Sequence, residues 1–84
     1  MSVENLKKAI KEKNLTIGTE ETIKSLKKGD VKEVFVAKNC PGILRRKVKN
    51  YSEMTGATVS ELEETNEEIG SICKKPFSIN LCCY

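Results

Sequence analysis

The segment Gly18-Thr19-Glu20-Glu21-Thr22-Ile23-Lys24 holds the residue types best placed to do chemistry with a polyanion. A glycine at a strand end, just before a helix, lets a nucleic-acid backbone approach closely and aims amide N–H groups at phosphate. Lys24, one turn further in, reaches the same place. An ordinary helix start with an exposed lysine accounts for the same residues, so the pattern alone leaves both readings open. Lys74-Lys75-Pro76-Phe77 adds two cations beside an aromatic ring, a combination suited to phosphate contact and base packing. A helix stop followed by a core strand also explains that run.

Catalytic chemistry has little to work with. The chain has no histidine, the commonest general base near neutral pH. The pairs Glu20/Glu21, Glu63/Glu64 and Glu67/Glu68 are adjacent in sequence. Adjacent residues on a helix point about 100° apart, so they do not face each other as a working acid and base. Carboxylates at helix starts, favoured by the helix dipole, are the simpler account. Neither GxxxxGK[ST] nor GxGxxG occurs. No enzyme, catalytic residue or cofactor is expected.

The four cysteines, Cys40, Cys73, Cys82 and Cys83, form no CxxC pair. Without histidine this is a poor donor set for structural zinc. Reduced thiols filling small interior spaces are the expectation, and no metal site.

Charge is divided unevenly along the 84 residues. Residues 1–49 hold 13 Lys/Arg against 6 Asp/Glu, whereas residues 50–84 hold 2 against 6, for a net +3 overall. Such an imbalance suggests a basic surface offered to a polyanion. A lysine-rich solvated face would look the same. No apolar run approaches the roughly 20 residues of a membrane span. The amphipathic, acid-containing start MSVENLKKAIKEK resembles neither a signal nor a transit peptide, so cytoplasmic residence is the expectation.

The elements that must position these residues are short. Val3, Leu6, Ala9 and Ile10 recur at helical spacing, and Leu15-Thr16-Ile17 is a β-prone run ending at Gly18. A second helix runs from Thr19 to its stop at Gly29. Val34-Phe35-Val36-Ala37 is nearly continuous in apolar residues, as in a central strand covered on both faces. Asn39-Cys40-Pro41-Gly42 is a loop. A third helix follows, with Leu44, Val48, Tyr51 and Met54 as its stripe and Arg45, Arg46, Lys47 and Lys49 outside; Gly56 ends it. Thr58 to Leu62 alternates as a strand. Thr65 and Glu68 have capping-box spacing for a fourth helix, buried through Ile69, Ile72 and Cys73. Phe77, Ile79, Leu81 and Cys83 alternate along a last strand. Helices alternating with strands imply one α/β domain over residues 1–84, a small mixed four-stranded sheet with helices on both faces.

Together, three segments resemble the kink-turn-binding ribosomal proteins, the family of the archaeal and eukaryotic large-subunit protein numbered thirty. They are NLKKAIKEKNLTIGTEETIKSLKKGDVKEVFVAKNCP, RRKVKNYSEMTG and NEEIGSICKKPFSI. The resemblance covers nearly the whole chain and implies a three-layer α/β/α sandwich that grips a sharply bent RNA. Carried over, the RNA contacts would come from Gly18, Thr19, Glu20, Glu21 and Lys24 at the junction. Lys38 and Asn39 would follow the central strand, and Lys75, Pro76, Phe77, Ser78 and Ile79 would form a late loop. Gly18, Thr19 and Lys24 would position phosphates, Glu21 would accept from base donors, and Phe77 or Ile79 would pack on an unstacked base. Glu20 departs from the family, which usually has a non-acidic polar residue there; a carboxylate loses any donor role and repels phosphate.

What the resemblance implies is a structural, rRNA-binding protein of the large ribosomal subunit, monomeric off the RNA and beside neighbouring ribosomal proteins. A kink-turn protein of a guide-RNA or ribonuclease particle is the alternative. So is a protein-interaction domain of the same fold that has lost RNA binding, which Glu20 favours.

Overall fold

The computed structural model describes residues 2–12 and 15–84. Met1, Lys13 and Asn14, the last two within the first resembling segment, lie outside the described residues. The elements run α1 (Ser2–Glu12), β1 (Thr16–Ile17), α2 (Thr19–Lys28), β2 (Glu33–Val36), α3 (Gly42–Thr55), β3 (Thr58–Glu61), α4 (Asn66–Ile72) and β4 (Leu81–Cys83). The four strands form one mixed sheet in the order β1-β4-β2-β3. β4 is antiparallel to both β1 and β2, and β3 is parallel to β2.

Strand alternation assigns the helices to the two faces. Val34 and Val36 point to one face, with Cys83 and Leu81 opposite them in register. Val36 lines a groove with Arg45 and Lys49 of α3, and the Thr22 hydroxyl of α2 lies beside the Cys83 thiol. Glu33 and Phe35 point to the other face, with Cys82 beside Phe35. Glu33 borders a hollow with Asn5, Lys8 and Ala9 of α1, and Cys82 senses Cys73 at the end of α4. Two helices therefore cover each face, giving the three layers of an α/β/α sandwich.

The helix ends follow their sequence signals. α2 has Glu20 and Glu21 in its first turn and Lys27 and Lys28 in its last, and it ends at Gly29 in the left-handed region. α4 starts with a complete capping box. The Thr65 hydroxyl accepts from the Glu68 N–H at 3.3 Å, and Glu68 accepts from the Thr65 N–H at 2.9 Å.

One cluster of buried residues fills the interior, including Leu6, Leu26, Val34, Phe35, Val48, Ile69 and Leu81. Each large side chain sealed there contributes about 1.5–3 kcal/mol relative to exposure. All four cysteines are free and buried within it. Burial pushes each thiol above its ordinary value, Cys82 most of all. Among the described residues no group of three or more His, Cys, Asp or Glu could hold a metal ion, and no helix is long and apolar enough to cross a membrane.

Two local expectations are corrected. Met54 is 73% exposed and leaves the α3 stripe to Leu44, Val48 and Tyr51, because the buried side continues to Ser52 and a residue two positions further on points away from it. The last strand does not begin at Phe77. Residues 74–80 form a loop, and only Leu81, Cys82 and Cys83 pair, buried on both faces between β1 and β2. Alternation failed there because an interior strand needs apolar residues on both sides.

Candidate nucleic-acid interface

Since β1 and β2 both oppose β4, and β3 follows β2, the carboxyl ends of β1, β2 and β3 share one edge of the sheet with the start of β4. In open α/β sheets, loops beyond strand carboxyl ends are where ligands meet the fold. Four connections meet here. Gly18 donates its N–H to Leu81 at 3.1 Å, and Ala37 donates to Asn80 at 3.0 Å. Lys38 donates to Glu64 at 2.8 Å, and Ile79 to Asn66 at 2.9 Å. The turn into α2 and the approach to β4 are thus neighbours.

Gly18 has φ 113° and ψ 154°, a region essentially restricted to glycine. Its carbonyl accepts the first helical bond from Thr22 at 3.0 Å. The N–H of Gly18 is already spent on the Leu81 carbonyl, so whatever Gly18 offers a phosphate is close approach and not its own amide. The first-turn amides of Thr19, Glu20 and Glu21 have no intrahelical acceptor. Glu20, Glu21 and Lys24 are exposed.

The loop after β2 is held from inside by Arg45. Its guanidinium donates to the carbonyls of Cys40 at 3.1 Å and Ala37 at 2.9 Å, and to that of Lys38, while pairing with Glu61. Arg45 was expected on the free outer face of α3; it is instead the clamp that shapes residues 37–40. Asn39 is exposed but partnered within the protein: its Oδ1 accepts from the Asn66 N–H at 2.8 Å, and its Nδ2 donates to Asn66 Oδ1 at 3.2 Å. Asn66 Nδ2 in turn donates to Asn80 Oδ1 at 2.9 Å. Three asparagines therefore tie the loop after β2 and the approach to β4 to the start of α4. Lys38 stays exposed, and its charge helps the Thr65 N–H and hydroxyl, the larger influences, to hold the Glu68 carboxyl below its usual range.

The late loop is fixed by α4. A Cβ on Gly70 would stand 2.1 Å from the Phe77 carbonyl oxygen, so only glycine permits this approach. The Lys75 N–H donates to the Gly70 carbonyl at 2.9 Å, after Lys74 turns the chain at φ 58°. Gly70 lies four residues into α4, so Lys75 and Phe77 stand back from Asn66 by roughly 6 Å, one helical turn. Phe77 is 55% exposed, whereas Ile79 is 2% exposed. Ile79 is therefore corrected: its side chain belongs to the core, and Phe77 alone of the two offers an apolar surface. Lys75, Pro76 and Ser78 are exposed.

The structure thus brings together Gly18–Lys24, Lys38–Asn39 and Ser78–Ile79, with Lys75, Pro76 and Phe77 on the flank. Arg45, Asn66, Asn80 and Gly70 were missed by sequence reasoning. Gly70 alone left a usable signal, since a glycine inside a helix costs about 1 kcal/mol against alanine and implies a close approach.

A family model described as the Ribosomal protein L7Ae/L30e/S12e/Gadd45 family matches residues 2–84. The large ribosomal subunit protein eL30 of Archaeoglobus fulgidus is 36% identical over 74 residues, 88% of this chain and 81% of that protein. The protein of the same name from Methanosarcina mazei is 37% identical over 75 residues, 89% of this chain and 69% of that one. A solved structure described as a protein with unknown function from Bacillus halodurans C has the same fold. Its TM-score is 0.80 over 93% of this chain and 77% of that chain, at 17% sequence identity.

Proposed function

The chain belongs to the ribosomal protein L7Ae/L30e/S12e/Gadd45 family, and on that premise we propose that it is a structural RNA-binding protein that recognises a kink-turn as a component of the large ribosomal subunit. Residues 1–84 act as one RNA-binding unit without enzymatic activity, monomeric away from the RNA and cytoplasmic as part of the ribosome. The observation that carries this reading is the hydrogen-bonded union of the α2 junction with the approach to β4.

On this reading the edge divides its work by chemistry. The first-turn amides of α2 and the positive end of its dipole receive phosphate, and Lys24 adds a charged contact. Glu21 accepts from exposed base amino groups, and Phe77 packs on an unstacked base. Asn39 and Arg45 act mainly by shaping the loop that presents Lys38. Ile79 contributes by locking the loop into the core. Recognition then rests on the shape of the bend. Glu20 faces the same RNA without a proton to donate, which weakens binding or shifts the contact to its backbone N–H.

A gel shift with a kink-turn RNA, and with the same RNA after disruption of its tandem G·A pairs, tests the proposal. Preference for the intact RNA is expected; equal binding to both would defeat kink-turn recognition, and binding to neither would leave the chain a protein-interaction member of its family. Lys24→Ala should weaken binding by about 1–2 kcal/mol, as for a hydrogen bond to a charged group, and flatten the salt dependence. An unchanged slope would make Lys24 a solvated helix lysine only.

A further inference from the structure

α2 and α3 both begin at the interface edge and run back from it side by side on one face of the sheet. Between them lies a shallow groove of about 250 Å³ lined by Thr19, Glu20, Ile23, Lys24, Lys27, Leu44 and Lys47. Ile23 and Leu44 are half-buried, while Lys24, Lys27 and Lys47 are exposed. Lys24 and Lys47 each stand five residues inside their helices, hence at the same depth, roughly 8 Å from the edge. Lys27 lies a turn deeper, its Nζ 5.6 Å from the centre of the Tyr51 ring of α3, so it leans across the groove. Three cations thus face a single carboxylate, Glu20, which stands at the mouth.

The groove is smaller than the ~300–1,000 Å³ of sites that enclose a small molecule. From Thr19 to Lys27 it extends roughly 12 Å. That length spans about three phosphates at the ~3.4 Å axial rise of a duplex strand. The start of the groove adjoins Thr19 and Lys24, residues already assigned to the bend. Positive charge, length and continuity all fit a nucleic-acid backbone leaving that edge.

We propose that the α2–α3 groove is a second RNA contact, taken by the phosphate backbone of a helical stem that flanks the bend, with Lys47 and Lys27 as its cations. The assignment rests on the kink-turn reading above and extends it beyond the junction and the late loop. It also gives the basic face of α3 a divided role. Arg45 builds the loop from inside, and Lys47 faces RNA.

The test uses the full chain with two RNAs that share one kink-turn, one with short stems and one with each stem extended by about one helical turn, ~10 base pairs. Lys47 is exposed, so its substitution leaves the core intact, and a melting curve checks this. Wild type should bind the extended RNA more tightly. Lys47→Ala should bind the short RNA normally, lose about fivefold on the extended RNA, and show a salt slope smaller by about 1. Lys47→Arg should restore the loss. Equal wild-type affinity for both RNAs, or an equal effect of Lys47→Ala on both, would overturn the groove while leaving the kink-turn reading in place. Indifference of the wild type to disruption of the G·A pairs would remove both.

Discussion

The two halves of the candidate interface are held in place by different physics. The junction at Gly18 is a local device: one glycine at φ 113° and ψ 154°, followed at once by a helix start. Nothing lies within 4 Å of where its Cβ would be. The late loop is a long-range device. Its backbone rests on Gly70 at 2.1 Å from a notional Cβ, and its end is tied by Asn80 through Asn66 to Asn39. A local device is damaged through backbone strain, and a long-range one through packing.

The sharpest way to break this contrast is Gly70→Ala. The added methyl must displace the Phe77 carbonyl, a backbone atom, so the cost should sit at or above the top of the about 1–3 kcal/mol usual for overpacking, and alanine's better helix propensity of ~1 kcal/mol offsets only part of it. We expect a lower urea midpoint and a loss of RNA affinity together, because the loop moves off α4. Unchanged stability would show that the loop is not seated there.

Gly18→Ala should do less to stability, about 1–2 kcal/mol by the same denaturation measurement, because it meets only φ/ψ strain. Its effect on RNA binding should match or exceed its effect on folding, since the first-turn amides re-aim with it. A larger stability loss than that of Gly70→Ala would invert the comparison.

The smallest expected effect concerns the cap of α4, which starts the helix that carries the late loop. Bonds from Thr65 hold the Glu68 carboxyl below its ordinary value. Its contribution is therefore present above the unfolded carboxylate pKa and is lost as pH falls through the lowered folded value. Wild type should lose slightly more stability than Glu68→Gln, which removes the titrating carboxyl, between neutral and acid pH, read from parallel melts. Parallel losses would mean that the box does not tune Glu68.

Much of this was legible in the residues. The spacing of Leu6 and Ala9, the stop at Gly29 and the Thr65/Glu68 box each specify a local structure through interactions within a few positions. The central strand was legible because Val34, Phe35 and Val36 leave no solvated face. What failed was whatever depended on a neighbour distant in sequence. Arg45 looked like one more surface cation, because the carbonyls it holds come into place only after the loop folds around it. Ile79 and Phe77 looked interchangeable, because which of them faces the core is set by where β4 starts.

By itself, then, the sequence determined the element order, the α/β class and the candidate residues of the junction, since these follow from short-range periodicity and backbone preference. Only the tertiary structure decided that the late loop shares an edge with that junction, and that Lys24, Lys27 and Lys47 line one groove. The reason is topological. Strand order β1-β4-β2-β3 sets the last strand between the first two, and contacts of that separation leave no periodic trace in the chain.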